Sequence, residues 1–207
     1  MFVEKHPDES VKLMTKIVEH FGEYGTIVGG YLSQTHAVLG VLAKKNPDAI
    51  WREITKYLGP PKTAHAFRLT RWLRGDTFGS RGSGGGLSLI PAEQVWTWVN
   101  EDAAKRALYL ATFVPTGLFR EEGRICFARE VLVRYGSRKD VRDMLIGNFS
   151  SEGWSGPASS HYAGRRQWLL EFCKDETNES VRRWIGEYVA VLDAWIEGAR
   201  IDEERQF

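Results

Sequence analysis

Apolar positions recur every three to four residues along almost the whole chain, and no stretch sustains an alternation of period two. This spacing is typical of amphipathic α-helices and not of β-strands. In the last helix Trp184, Tyr188 and Trp195 share one side, and Arg183 and Glu187 lie away from it. The pattern predicts an all-α fold of about ten helices, the last of them capped at Asn178. The other nine are predicted at 8–21, 27–43, 48–58, 62–74, 92–99, 102–113, 121–135, 139–149 and 157–174.

Parts of the chain are repeated at an interval of forty residues. The segment KDVRDML at 139–145 returns as ESVRRWI at 179–185. Near the N-terminus the same interval relates Pro7, Asp8, Val11, Lys12 and Lys16 to Pro47, Asp48, Trp51, Arg52 and Lys56. Repeats of about 40 to 47 residues are those of HEAT and armadillo units, so the chain resembles HEAT-like α-solenoids. The resemblance implies a right-handed α-α superhelix, and the alternative is chance similarity among amphipathic helices.

We expect a single HEAT-like helical domain over 1–207, because a chain of this length holds roughly one domain of ordinary size. A segment rich in Gly and Ser at 75–90 is a candidate flexible break that separates 1–74 from 91–207. The same glycines raise the alternative of a phosphate-binding loop. That alternative is disfavoured, since no Lys-Ser or Lys-Thr pair follows them and no strand precedes them.

Composition and charge indicate more about the cellular location of the protein than about its chemistry. The chain is 43% apolar, and its formal net charge is +1, so no overall field favours nucleic acid or anionic lipid. It has two cysteines and an N-terminal stretch too acidic for a signal peptide, which favours a reducing, cytoplasmic location. The uncharged stretch 24–43 contains four glycines and several polar residues, and we expect a buried helix there and no membrane contact.

No recognised catalytic motif occurs in the sequence. The five histidines are scattered without metal-ligand spacing, and Cys126 and Cys173 lie beside large apolar residues that suit buried, unreactive thiols. We therefore predict no catalytic residue, no metal site and no cofactor. A base-excising enzyme on a helical scaffold is the remaining enzymatic alternative, but it needs a lone acid near a tryptophan, and no acid in the sequence meets that description clearly.

The strongest local charge signal is a run of arginines before and within the glycine-rich segment. Arg68, Arg71 and Arg74 stand three residues apart on one predicted helix, and Arg81 follows them. Such a stripe, with Trp72 beside it, has the chemistry to neutralise phosphates and stack on a base. The alternative is a solvated helix face that pairs with acids elsewhere.

Four other residues are candidate contacts for a partner. Trp96 and Trp98 lie two positions apart on one short helix, so we expect one of the rings, with Trp96 as the candidate, to lie on the surface or under the glycine-rich segment. Trp154 lies between glycines in a turn, and His161 and Tyr162 follow it at the start of the next helix. The alternative for the histidine and the tyrosine is packing between helices.

From about Pro91 onward four segments follow one another: LIPAEQVWTWV, VLVRYGSRKDVRDML, NFSSEGWSGPASSHY and NESVRRWIGEYV. Their order resembles the HEAT-like C-terminal tails of large bacterial NACHT or STAND-type NTPases and other antiviral-defence proteins. In such proteins the tail is a recognition or oligomerisation part, and separate domains carry out the chemistry. The resemblance implies a non-catalytic module that binds a protein partner in a bacterial defence or signalling assembly. The alternative is a nucleic-acid-binding solenoid that uses the arginine face. The resemblance rests on Trp154, Gly156, Pro157, His161, Tyr162, Val181, Arg182, Arg183 and Trp184.

Overall fold

The computed structural model describes residues 7–20, 31–59, 63–75, 85–116, 125–151 and 153–205. Within these ranges all regular structure is helical, which confirms the all-α prediction. The α-helices are α1 Pro7–Glu19, α2 Tyr31–Lys45, α3 Pro47–Thr55, α4 Ala64–Arg74, α5 Ala92–Glu101, α6 Ala103–Ala111, α7 Phe127–Tyr135, α8 Lys139–Phe149, α9 Ala158–Cys173 and α10 Glu179–Glu204. A short 3-10 helix, Gly86–Leu89, precedes α5.

The chain forms two compact units, Met1–Pro115 and Thr116–Phe207. The first contains α1 to α6, and the second contains α7 to α10. Of the glycine-rich segment 75–90, residues 76–84 lie outside the described ranges. The 3-10 helix at its end packs against α2 and α4, and a Cβ at Gly86 would overlap the Trp72 ring. The described end of this segment is therefore packed inside the first unit.

The first repeated pair corresponds to α1 and α3, which pack against each other. Both helices begin at a proline, which suits a first helical position because its missing N–H would have no partner there. Buried positions recur at the forty-residue interval: Ser10 with Ile50 and Met14 with Ile54 inside the two helices, and Val18 of α1 with Leu58, which follows the end of α3. The sequence repeat therefore coincides with a repeat of core positions.

Over the part of helix α2 whose side chains are described, 35–45, one side is buried. Leu39, Leu42 and Ala43 lie in the core, as expected for a buried helix. Val38 and Val41 are more than 40% exposed, so the expectation fails for the other side of the helix. Residues 27–30 of the predicted helix lie outside the described ranges.

The second repeated pair, α8 and α10, agrees in its apolar positions and differs in its arginines. Val141 and Val181 are both fully buried, yet Arg142 is buried and its counterpart Arg182 is exposed. The Arg142 side chain donates to the carbonyl oxygens of Gly136 and Ser137 at 2.8 and 3.1 Å. These carbonyls lie just beyond the end of α7, where helical partners run out. The arginine therefore closes that end of the helix.

Arg142 also joins α8 to α10. Its Nε lies 2.8 Å from a carboxylate oxygen of Glu187, and its backbone carbonyl accepts a 3.1 Å hydrogen bond from the indole N–H of Trp184. Trp184 is fully buried between Phe149 and Tyr188, with edge-to-face or tilted ring contacts at 5.0 and 5.4 Å. A charged side chain is thus held inside the second unit by several acceptors.

Helices α9 and α10 form an antiparallel hairpin. Ser159 near the start of α9 bonds Glu203 near the end of α10, and Arg166 further along α9 pairs with Asp193. Asn178 caps α10 as predicted, since its side chain accepts from the Val181 N–H at 3.2 Å. The pairing brings together residues 27 positions apart near the middle of the hairpin and 44 positions apart at its open end.

A buried carboxylate fastens the connection between these helices to α7. Glu176 is 8% exposed and receives two hydrogen bonds from the Arg129 guanidinium, at 2.7 and 2.9 Å. The Asn178 backbone N–H donates a third, at 2.8 Å. The Arg129 hydrogen bond, above all, holds the pKa of Glu176 below its ordinary value of 4.5. The ionised form is the one that the fold stabilises.

We predict opposite sensitivities for the two equivalent arginines. Arg142→Ala should lower the free energy of unfolding by about 2–4 kcal/mol, because two carbonyls and Glu187 lose a charged donor. Arg182→Ala, at the exposed counterpart, should change it by no more than about 0.5 kcal/mol. Urea unfolding followed by circular dichroism measures both. Equal losses in the two variants would contradict the role assigned to Arg142.

We predict that the stabilisation from Glu176 depends on pH. Since the folded-state pKa is lowered, the contribution is complete above 4.5 and is lost as pH falls through the lower folded value. Glu176→Gln should therefore lower the free energy of unfolding at neutral pH by about 2–3 kcal/mol. The gap, meaning the difference in this free energy between the variant and the parent protein, should close in acid. Urea unfolding across a pH series measures the gap, and Glu179→Gln at an exposed site is the control. A gap that persists unchanged in acid would refute the prediction.

Candidate interaction surfaces

Four aromatic side chains of the second unit form one contiguous group, here called the aromatic cluster: Trp154, His161, Tyr162 and Trp195. The Trp154 indole stacks on the His161 ring, with centroids 4.6 Å apart and planes 10° from parallel. Tyr162 lies between the two tryptophans, 5.4 Å from Trp154 and 5.3 Å from Trp195. The structure thus brings together three residues that the sequence singled out. Trp195 is a fourth that sequence reasoning placed in the core.

The aromatic cluster is ordered by contacts among its rings and is nevertheless open to solvent. Trp154 is 43% exposed and Trp195 is 36% exposed. Exposed tryptophan surface of this kind is uncommon, because burying an aromatic ring is strongly favourable. Tryptophan and tyrosine are also the side chains that most often dominate the energy of protein interfaces. The cluster therefore has the composition of an interface contact.

A tight turn places Trp154 against α9. Gly156 has φ of +93°, a left-handed conformation that side chains disfavour, and Pro157 stands at the N-cap of the helix. Helix α9 begins after Pro157, and no side chain caps it at that position. The glycine allows the chain to reverse just after Trp154, so the indole returns to the first turn of α9.

The far end of α10 supplies the missing capping contact. A Glu203 carboxylate oxygen accepts from the Ser159 backbone N–H at 3.1 Å, and the other accepts from the Ser159 hydroxyl at 2.6 Å. These bonds lower the pKa of Glu203, as expected for a carboxylate at a helix N-terminus. The last residues of α10 therefore hold the start of α9 beside the aromatic cluster.

A groove in the first unit contains the second candidate surface, here called the arginine groove. Its volume is about 450 Å³, and α4 and α6 supply its walls. Phe67, Thr70, Arg71 and Arg74 follow one side of α4, at the spacing of a single helix face. The opposite wall includes Tyr109 and Thr112, together with the buried Phe113. Sequence reasoning found the arginines and missed Phe67 and Tyr109.

The groove separates the arginines that the sequence grouped together. Arg71 and Arg74 line it, and Arg68 does not. Arg81 lies outside the described ranges.

His36 has a lowered pKa, first because it is partly buried and then because the Arg71 charge disfavours protonation. Burial raises the pKa of Tyr109, so the phenol on the opposite wall remains protonated.

Trp96 is buried, so the expectation that one of the two tryptophans of α5 lies on the surface is wrong. The alternative position, under the glycine-rich segment, involves residues 76–84, which lie outside the described ranges. The two rings are 7% and 6% exposed. The expectation assumed a helix covered on one side, whereas α5 packs against both α3 and α6. Trp98 contacts the Trp51 ring edge-on at 5.6 Å, and the Arg106 guanidinium lies 5.1 Å above its centroid. Trp96 is therefore a core residue and not a partner contact.

Three properties of the described ranges concern metal binding, thiol reactivity and membrane insertion. Within them no group of three or more His, Cys, Asp or Glu side chains is arranged to hold a metal ion. Burial, above all, raises the pKa of Cys126, which disfavours the nucleophilic thiolate. No helix there has both the length and the apolar character needed to cross a bilayer.

We predict that two glycines near the aromatic cluster respond to alanine with opposite signs. Gly156→Ala should lower the free energy of unfolding by about 1 kcal/mol or more, because its φ is strained for any side chain. Gly164→Ala, inside α9 with no atom near the added methyl, should raise it by about 0.5–1 kcal/mol. Urea unfolding measures both changes. Stabilisation by both substitutions would show that the turn does not need the left-handed conformation.

The comparisons with known proteins show no similarity on which to rest a function. No protein-family model, curated protein or solved structure matches the chain. The aromatic cluster and the arginine groove are therefore the features from which function is inferred.

Proposed function

We propose that the chain is a cytoplasmic, non-catalytic HEAT-like interaction module that binds a protein partner through the aromatic cluster. The observation that carries this proposal is the exposure of Trp154 and Trp195 within one ordered group of rings. Ordered rings lose little conformational freedom on binding, and their burial contributes strongly to affinity. A partner that covers the cluster with apolar side chains matches this chemistry.

The character of the rim favours protein as the partner. The Arg166 and Asp193 pair lies on the same two helices as Tyr162 and Trp195, and Glu203 holds the start of α9. Charges of both signs around an aromatic centre are typical of the polar rim and apolar core of protein interfaces. The carboxylates on this surface would repel a polyanion such as nucleic acid, which disfavours a polyanionic partner here.

The repeats support the HEAT-like part of the proposal. Core positions of α1 and α3 recur at forty residues, and so do Val141 and Val181 in the second unit. HEAT-like stacks present long surfaces to macromolecules, because each repeat contacts only its neighbours. The setting in a bacterial defence or signalling assembly follows from the resemblance of the C-terminal half to the tails of NACHT or STAND-type proteins, and it belongs to the same proposal.

We predict that a photo-activatable benzophenone side chain at position 154 forms one discrete protein adduct in the native cell. The same group at Val133, which is 39% exposed on α7, should give no such adduct. With the identified partner purified, Trp154→Ala and Trp195→Ala should each weaken binding about tenfold or more, as for residues at the centre of an interface. Isothermal titration calorimetry measures the affinity.

Val133→Ala is the matched control, since it also removes exposed apolar surface from the second unit and should leave the affinity unchanged. Circular dichroism of each variant establishes that the fold is retained. Identical adducts at both positions would refute the proposal, and so would an adduct that nuclease destroys. Affinity for the purified partner that survives both tryptophan substitutions would refute it as well.

A further inference from the structure

The lining of the arginine groove is cationic and hydroxylated. Arg71 and Arg74 lie on its α4 wall, one helical turn apart, with Thr70 beside them. Thr112 and Tyr109 add hydroxyl groups from the opposite wall. Among the lining residues that the structure describes, none carries a carboxylate. Guanidinium groups are usual donors to phosphate oxygens. The Thr70 and Thr112 hydroxyls donate to the carbonyl oxygens of Phe67 and Tyr109 at 2.8 and 2.7 Å, so the two arginines are the phosphate donors of this lining.

An exposed aromatic ring lies on the same face of α4 as the two arginines. Phe67 is 63% exposed, although it belongs to a helix whose Leu69, Trp72 and Leu73 are buried. It precedes Arg71 by four positions, which places the two side chains as neighbours on the helix surface. A phenyl ring offers a stacking surface and no hydrogen bond. Stacking of this kind accepts any base.

The charge of Arg71 also acts on a histidine of α2. The pKa of His36 is lowered, first by burial and then by the Arg71 charge. This is the same arginine that lines the groove, so the histidine adds no second source of positive charge.

We propose that the arginine groove binds single-stranded nucleic acid, with phosphates on Arg71 and Arg74 and an unpaired base stacked on Phe67. A volume of about 450 Å³ falls within the range of about 300–1,000 Å³ usual for sites that hold a ligand of nucleotide size. An acidic peptide would satisfy the arginines but would leave the exposed ring without its stacking partner. This site lies in the first unit, so it does not depend on the protein partner proposed for the aromatic cluster.

Fluorescence anisotropy with labelled ten-nucleotide strands of DNA and RNA tests the proposal on the full chain. We expect binding that weakens as salt rises, with a logarithmic slope that falls by about one for each arginine replaced by alanine. Phe67→Ala should weaken binding about tenfold, and it should do so with little change in the salt slope, since it removes stacking and no charge. Arg71→Ala with Arg74→Ala should weaken binding more than either change alone.

Arg68→Ala is the matched control, because it removes one arginine from the same helix without touching the groove lining. It should keep most of the affinity, and thermal unfolding should show that Phe67→Ala leaves the fold intact. Absence of binding to any strand would overturn the proposal. An equal loss in the Arg68 variant, equal affinity for duplex DNA or for polyglutamate, or equally tight binding of a mononucleotide would overturn it as well.

Discussion

The second unit depends on the satisfaction of one buried charge. Arg142 has little contact with solvent, and a guanidinium in that position is costly unless acceptors surround it. Two carbonyls beyond the end of α7 and the Glu187 carboxylate on α10 supply those acceptors. The same residue accepts the Trp184 indole N–H through its backbone carbonyl. Three helices are therefore tied to one position, and α10, which carries Trp195, is held in place by it.

The helices could be predicted from the sequence because their cause is local. A stripe of apolar side chains at helical spacing is buried wherever the helix packs, and the predicted and observed helices agree within a few residues over the described ranges. The burial of Arg142 could not be predicted in this way. Arg142 and Arg182 stand in nearly identical local patterns, and only the neighbouring elements make one a core residue and the other a surface residue. The surface position expected for Trp96 was wrong for the same reason, since its helix is covered on more than one side.

The candidate surfaces show the same division between local and long-range information. Trp154, His161 and Tyr162 are close in sequence, so their proximity in the structure follows from one turn and the start of one helix. Trp195 joins them only because α9 and α10 run antiparallel and pair residues far apart along the chain. Likewise Arg71 and Arg74 are neighbours on one helix, but Tyr109 meets them across a groove whose second wall is α6. Sequence spacing identifies three of the four rings of the aromatic cluster and the arginines of the groove, and packing supplies Trp195 and Tyr109.

The two surfaces differ in chemistry, and each is built by residues of a single unit. The aromatic cluster combines exposed rings with charges of both signs, whereas the arginine groove has cations, hydroxyl groups and one exposed ring. Apolar burial changes little with salt, and attraction to phosphates weakens steeply with it. Because the surfaces are separate in the chain and differ in their response to salt, binding at one can be measured while the other is disabled by substitution. If one substitution abolished binding at both surfaces, the cause would be a change in the fold, since no side chain is common to the two surfaces.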